Sequence, residues 1–274
     1  MADFLHLVGG VRRDAAGSDH GVRSSYALPA LDGAPRAFFV GPYSFLQYQL
    51  SAGSCVAHGT ILCVESDVRG EQGADWQICR LDVYRGARLY RGWENEDSGC
   101  LASDAVRWIE EEGLASESHW PYDPTKVVNV PPPPLVVATR PFSKGKWTRL
   151  YPDPEQIMSH MWHRKKMVNM TFAVGGAYTR TRMPGGVMEP FDVVDGWHDE
   201  AWVGWDLDHP AGPVLWKAGS WEGHGVDHPA AETDARFAHL RGRRGFTAVR
   251  FPMLSDPSRF GEVHGLVQSP NVEA

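Results

Sequence analysis

Long apolar runs, paired cysteines, glycine-rich phosphate loops and an excess of positive charge are all missing from this chain. Nothing approaches the ~18 consecutive apolar residues of a membrane-spanning helix, so no membrane partner is expected. The opening MADFLHLVGGVRRDAAGSD has only a short apolar patch and no charged lead, unlike a secretory leader. The four cysteines, Cys55, Cys63, Cys79 and Cys100, form no C-x-x-C pair and no dense disulfide framework. A reducing setting follows, cytoplasmic or particle-associated, without export through a signal peptide. Gly175-Gly176 and Gly185-Gly186 read as turns, not phosphate cradles. A net charge of −7 leaves no field to recruit nucleic acid, and none is expected as a partner. Arg164-Lys165-Lys166 and Arg241-Gly242-Arg243-Arg244 are small clusters that read as solvated surface.

What is present suits a folded protein with a sizeable core: 274 residues, 42% hydrophobic, with eleven tryptophans. Residues 1–40 show little periodicity and read as an N-terminal extension, an arm through which assembly partners could attach. Beyond it, Ser54 stands as an N-cap candidate before a helical stripe of Val56, Ile61, Leu62 and Val64. Further helices are expected over 76–90 and 101–112, the latter stopping at Gly113. Pro131 to Pro134 must run extended, which suits a crossing between two lobes. Asp153-Pro154-Glu155 has the form of a cap, a first-turn proline and an acidic first turn for a helix to about Lys166. From Met167 the texture turns to strand, at 167–174, 198–206, 213–219 and 245–251. The order is α+β: a helical lobe over 41–130 and a β-rich lobe over 131–274.

The chemistry-bearing residues follow from what a thiol nucleophile needs: a favoured thiolate, a base and donors for a developing oxyanion. Cys55 directly follows the cap candidate Ser54, where the helix dipole and free N–H groups favour an anion. Gln49 precedes it in the turn Q-L-S-A-G-S-C, placed so that its amide and the Cys55 N–H converge. His198 opens a strand after an irregular, Gly-rich stretch, a rigid mount for a base. Taken singly, each has a plainer reading. Cys55 would be a buried structural thiol, Gln49 a turn glutamine, His198 a hydrogen-bonded strand-end histidine and Trp221 a core aromatic. Their order along the chain favours the chemical one, and it calls for no cofactor. His160-x-x-His163, His224-x-x-x-His228 and Asp206-x-Asp208-His209 have donor types and spacings that could serve a metal ion. The second pair lies in a poor helix, and twelve histidines make chance pairs common. No metal is expected.

These residues resemble the papain-like cysteine peptidase family. Q-L-S-A-G-S-C-V-A is similar to that family's segment around the oxyanion Gln and the catalytic Cys. The run from Ser98-Gly99-Cys100 through a helix to Pro121-Tyr122 resembles its next landmark. Gly185-Gly186 before H-D-E-A-W-V-G-W, then L-W-K-A-G-S-W-E-G and G-F-T-A-V-R-F, continue in the family's order over roughly 41–255. The resemblance implies one two-lobed domain, a helical N-terminal lobe and an antiparallel β-barrel-like C-terminal lobe with the active-site cleft between them. It implies Cys55 as nucleophile, His198 as base, Gln49 in the oxyanion hole and Trp221 as a shield over the pair. Gly53, Ala102, Ser103 and Trp197 would line a peptide or protein substrate.

Three positions depart from the pattern. Gly219 stands where the family has the triad Asn, and glycine has no side chain to accept an imidazole N–H. Ser220 or an acidic residue such as Asp195 is a candidate replacement. Ala52 stands where the family often has the disulfide partner of the Cys100 position, and Ala102-Ser103 replaces a substrate-pairing Gly-Gly. The departures keep a second expectation open: a papain-fold binding or structural component without chemistry, for example of a phage particle or injection machine.

Overall fold

The computed structural model of the chain describes residues 29–41, 46–73, 75–140, 145–175, 186–254, 256–268 and 270. Its organising element is α1 (Cys55–Gln72), enclosed from Cys55 to Val68. A helix so deeply buried can carry charge only where partners wait for it. Glu65 meets Arg80 at 2.9 Å and accepts the Ile78 N–H, and Asp67 pairs with Lys166. Gly73, at φ 68°, ends the helix in the left-handed region that favours glycine.

Two helices pack beside it, α2 (Arg80–Leu89) and α3 (Ala102–Glu112). α2 starts later than the sequence suggests. Ile78 bridges to Ser116 and the Cys79 N–H bonds to Ala115, so 76–79 are drawn into extended pairing first. Pro131 to Pro133 run without regular structure, but Pro134 opens the short helix α4 (Pro134–Ala138). The expectation that all four prolines are extended is corrected there, since a first helical position needs no N–H. In α5 (Pro154–Arg164) the Asp153 side chain accepts the Gln156 N–H at 2.9 Å, as its cap pattern suggests.

The strands are β1 (Ala37–Phe39), β2 (Lys146–Arg149), β3 (Val168–Val174), β4 (Gly196–Asp206), β5 (Val214–Ala218), β6 (Phe246–Arg250) and β7 (Phe260–Gln268). They form an antiparallel sheet in the order β2-β7-β3-β4-β5-β6, with β1 added along the far half of β4. The path is open at β2 and β6, so the expected barrel-like lobe is a sheet that does not close on itself. A last turn, α6 (Phe251–Leu254), follows β6.

Two apolar cores result. One gathers Phe172, Trp202, Trp205 and Phe246 on the sheet side, the other Val56, Ile61, Tyr84 and Ile109 among the helices. Trp197 and Trp147 pack against both and mark the boundary. Part of the expected N-terminal extension is fastened down: β1 pairs with β4, Trp205 Nε1 donates to the Pro35 carbonyl and Ser159 Oγ to that of Pro29. The remainder of that arm, 1–28, lies outside the described residues, as do Pro42, Tyr43 and Gly185.

Candidate active site

Cys55 is the first residue of α1, where helical N–H groups have no intrahelical partner. Burial pushes its thiol well above the ordinary value, while the backbone N–H groups of Asp199 and Val56 pull it down. Asp199 directly follows His198 on β4, and one turn along α1 from Cys55 a Cβ on Gly59 would meet Asp199 Oδ1 at 2.6 Å, so the helix packs on the strand that carries the expected base. Ser54 precedes the helix without capping it. Its Oγ pairs instead with Tyr122 Oη at 2.8 Å and His58 Nδ1 at 3.3 Å.

His198 is as enclosed as Cys55. Trp221 lies over its ring, centroids 4.1 Å apart and planes 32° from parallel, and Phe172 meets it edge-on at 5.9 Å. Nε2 lies 3.1 Å from Glu200 Oε1. The contact follows from the strand's two-residue period, which sends 198 and 200 to one face and 199 to the other. Burial lowers the imidazole pKa, and the Glu200 carboxylate opposes it.

Glu200 is where the Gly219 departure resolves. Ala201 pairs with Ala218 in the antiparallel register, which sets Glu200 across from Gly219. A Cβ placed on Gly219 would meet Glu200 Oε1 at 2.4 Å. The carboxylate therefore fills the space an Asn side chain would need. Its other oxygen pairs with Lys217, wholly buried and on the same face of β5 as Gly219. Burial pushes the Glu200 carboxyl up, but Lys217 and His198 outweigh it and hold it below the usual carboxylate range. Burial pulls Lys217 down to about 8 against the same pair.

Neither candidate offered for the missing Asn takes the ring. Ser220 Oγ donates to Gln49 Oε1 at 2.5 Å. Asp195 enters β4 with its N–H bonded to the Val174 carbonyl, and the carboxylate at the ring belongs to Glu200. Sequence reasoning passed over Glu200 and Lys217. The signal was present as H-D-E and K-A-G: an acid two residues after the His and a base two residues before the glycine, each on the site-facing side of its strand.

Gln49 is buried and held from three directions. Its N–H donates to the Ser220 carbonyl, its own carbonyl accepts from Tyr122 Oη, and Nε2 donates to the Ala52 carbonyl at 2.7 Å. An amide nitrogen carries two hydrogens, so one remains beyond the Ala52 bond. Gly53 donates its N–H to Asp97, which fixes the turn leading to Cys55. Ala102 is fully buried at the start of α3, and the Ser103 N–H is taken by Glu262 of β7 at 2.7 Å. Trp197 remains half-buried at the boundary of the cores. His160 is enclosed against Gly265, and His163 Nε2 sits 2.9 Å from the Ala30 carbonyl. Among the described residues no group of three or more His, Cys, Asp or Glu is placed to hold a metal ion.

No family model matches the chain. An uncharacterised peptidase C1-like protein of Acanthamoeba polyphaga mimivirus is 28% identical over 85 residues, 31% of this chain and only 27% of that relative. Among solved structures, xylellain, a cysteine protease from Xylella fastidiosa, superposes with a TM-score of 0.76 at 17% identity, covering 96% of this chain and 97% of its own. A digestive procathepsin L2 proteinase from Tenebrio molitor larval midgut gives 0.70 at 19%, covering 98% and 80%. A Carica candamarcensis cysteine protease, solved in complex with E-64, gives 0.64 at 14%, covering 86% and 99%. The fold of this chain is papain-like.

Proposed function

We propose that this papain-like fold works as a cysteine peptidase or amidase, with Cys55 as nucleophile and His198 as its base. One observation carries the reading: the helix headed by Cys55 packs at Gly59 against Asp199 and Glu200 of β4, the strand whose His198 lies beneath Trp221. In the reaction, Cys55 gives its proton to His198 as Sγ bonds to the substrate carbonyl carbon, and the carbonyl π pair moves onto oxygen. The free hydrogen of Gln49 Nε2 and the Cys55 N–H hold that oxyanion. Collapse breaks the C–N bond, and the leaving amine takes the proton from the imidazolium. Water then attacks the thioester, gives its proton to His198, and Sγ leaves and recovers a proton. Trp221 keeps bulk water off the pair.

Peptide or protein would be the substrate, held between the lobes near Gly53 and Trp197. With its N–H engaged by Glu262 and its carbonyl inside the ladder of α3, Ser103 offers that groove only its side chain.

A second reading, a papain-fold binding component without chemistry, draws on the full enclosure of Cys55 and His198. One experiment separates the two. An epoxysuccinyl peptide probe should add once to wild type, at Cys55 by peptide mass spectrometry, and spare His198→Ala. No addition at any pH between 5 and 8 would leave the binding reading standing.

A further inference from the structure

We propose that Glu200, held by Lys217, is the positioning residue for His198, doing from β4 what a triad Asn would do from position 219. The inference rests on the peptidase reading for its role in turnover, and on geometry alone for its placement. Three observations converge. Glu200 Oε1 lies 3.1 Å from His198 Nε2. The same oxygen fills the space above Gly219 so completely that a Cβ there would come within 2.4 Å of it. Lys217 engages the other carboxylate oxygen, so the group has little freedom to turn away.

The chemistry follows from what a carboxylate can do. An ionised carboxylate only accepts, so a hydrogen bond across this 3.1 Å approach needs the proton on Nε2. Nδ1 is then the basic nitrogen, left to take the proton of Cys55. An Asn side-chain oxygen would fix the same tautomer without charge. Glu200 adds negative charge that stabilises the imidazolium, and Lys217 tempers it. Charge and shape have been exchanged together: the glycine at 219 and the acid at 200 only make sense as a pair. Trp221 and Phe172 also meet the ring and Met170 lies opposite Glu200, while His58 and Arg80 line one small cavity with Asp199, Glu200 and Gly219 and are the further titratable groups near the pair.

The exchange can be reversed. Removing Glu200 alone would strand Lys217, so Glu200→Ala is made together with Lys217→Met, replacing an ion pair by apolar volume, often a neutral change for folding. That double variant, checked for cooperative thermal unfolding, should lose about 100-fold in Cys55 labelling rate and in peptide-amide turnover. Adding Gly219→Asn to it should recover at least about 10-fold, because the Asn now has room. The same Gly219→Asn in the wild-type background should lower both rates, because Glu200 is in the way. In Glu200→Gln, the His198 resonance assigned by comparison with His198→Gln should titrate at lower pH than in wild type, and ¹⁵N shifts should show loss of the pure Nε2–H tautomer. A folded double variant that labels as fast as wild type, or an unchanged His198 titration and tautomer in Glu200→Gln, would overturn the assignment. If wild type resists labelling altogether, the peptidase reading fails on its own, and the titration and tautomer still decide the placement of Glu200.

Discussion

Asp199 and Glu200 are adjacent on β4, both carboxylic acids and both shut away from solvent, yet their surroundings drive them in opposite directions. Asp199 faces α1 across Gly59, where Thr171 Oγ1 donates at 2.8 Å and Asn169 Nδ2 reaches 3.4 Å. No cation joins that group among the contacts described. Burial pushes its carboxyl well above the ordinary value, which favours the neutral acid. Glu200 faces the other way, onto Lys217 and His198, and is held ionised despite equal burial. The difference teaches that depth alone does not set a carboxyl group's charge. Strand alternation deals neighbours to opposite faces, and the partners on each face decide the rest.

The comparison can be broken by mutation, most severely at Glu200. Glu200→Ala leaves Lys217 a buried cation without its carboxylate, and an unfolding midpoint in urea should report a loss of about 3–5 kcal/mol. A loss below about 1 kcal/mol would mean the pair carries no mutual dependence. Next in size is Gly59→Ala. Its Cβ would meet Asp199 Oδ1 at 2.6 Å and Asn169 Oδ1 at 2.7 Å, so the helix must lift from the sheet, at a cost of about 1–3 kcal/mol in the same assay.

The smallest effects are the most diagnostic, because their pH slopes differ in sign. A carboxyl whose folded pKa is raised contributes stability that is whole below the ordinary carboxylate pKa and lost as pH rises toward the raised value. Asp199→Asn mimics the neutral acid. It should match wild type within about 1 kcal/mol at pH 4 and gain on it by up to about 1.4 kcal/mol per pH unit above that. A depressed carboxyl behaves oppositely. Its stability is present above the unfolded pKa and disappears as pH falls through the folded one, so Glu200→Gln should cost most near pH 7 and progressively less below pH 4. Parallel slopes for the two variants, read as melting temperature against pH, would erase the distinction between the faces.

The two halves of the site were unequally legible in the sequence. The Cys55 half is local: Gln49, Gly53 and Cys55 lie within one turn leading into one helix, so spacing alone brings them together. Even there Ser54, which does occupy the N-cap position, makes no side-chain cap bond, because Tyr122, distant along the chain, takes its hydroxyl. The His198 half is built from two neighbouring strands, and its partner choice depends on the β4–β5 register. Gly219 was visible as a gap. That Glu200 fills it requires knowing that Ala201 faces Ala218, which no single-strand pattern states. Long helices and the apolar strands β3, β4, β5 and β6 announced themselves by period. β7 did not, since FGEVHGLVQ is interrupted by glycine and histidine, and its centre, Val263 to Leu266, is buried without alternation. β1 and β2 are too short to show alternation.

Four cysteines allow the most direct test of the site, because Cys55, Cys63, Cys79 and Cys100 are all free and all buried. Exposure to solvent therefore cannot distinguish them, and the proposed pairing of Cys55 with His198 can. Limited treatment of the native protein with iodoacetamide, followed by peptide mass spectrometry, should show Cys55 modified at least about 10-fold faster than the other three, and that lead should vanish in His198→Ala. Equal protection of all four, or Cys55 among the slowest, would contradict a nucleophile at the head of α1.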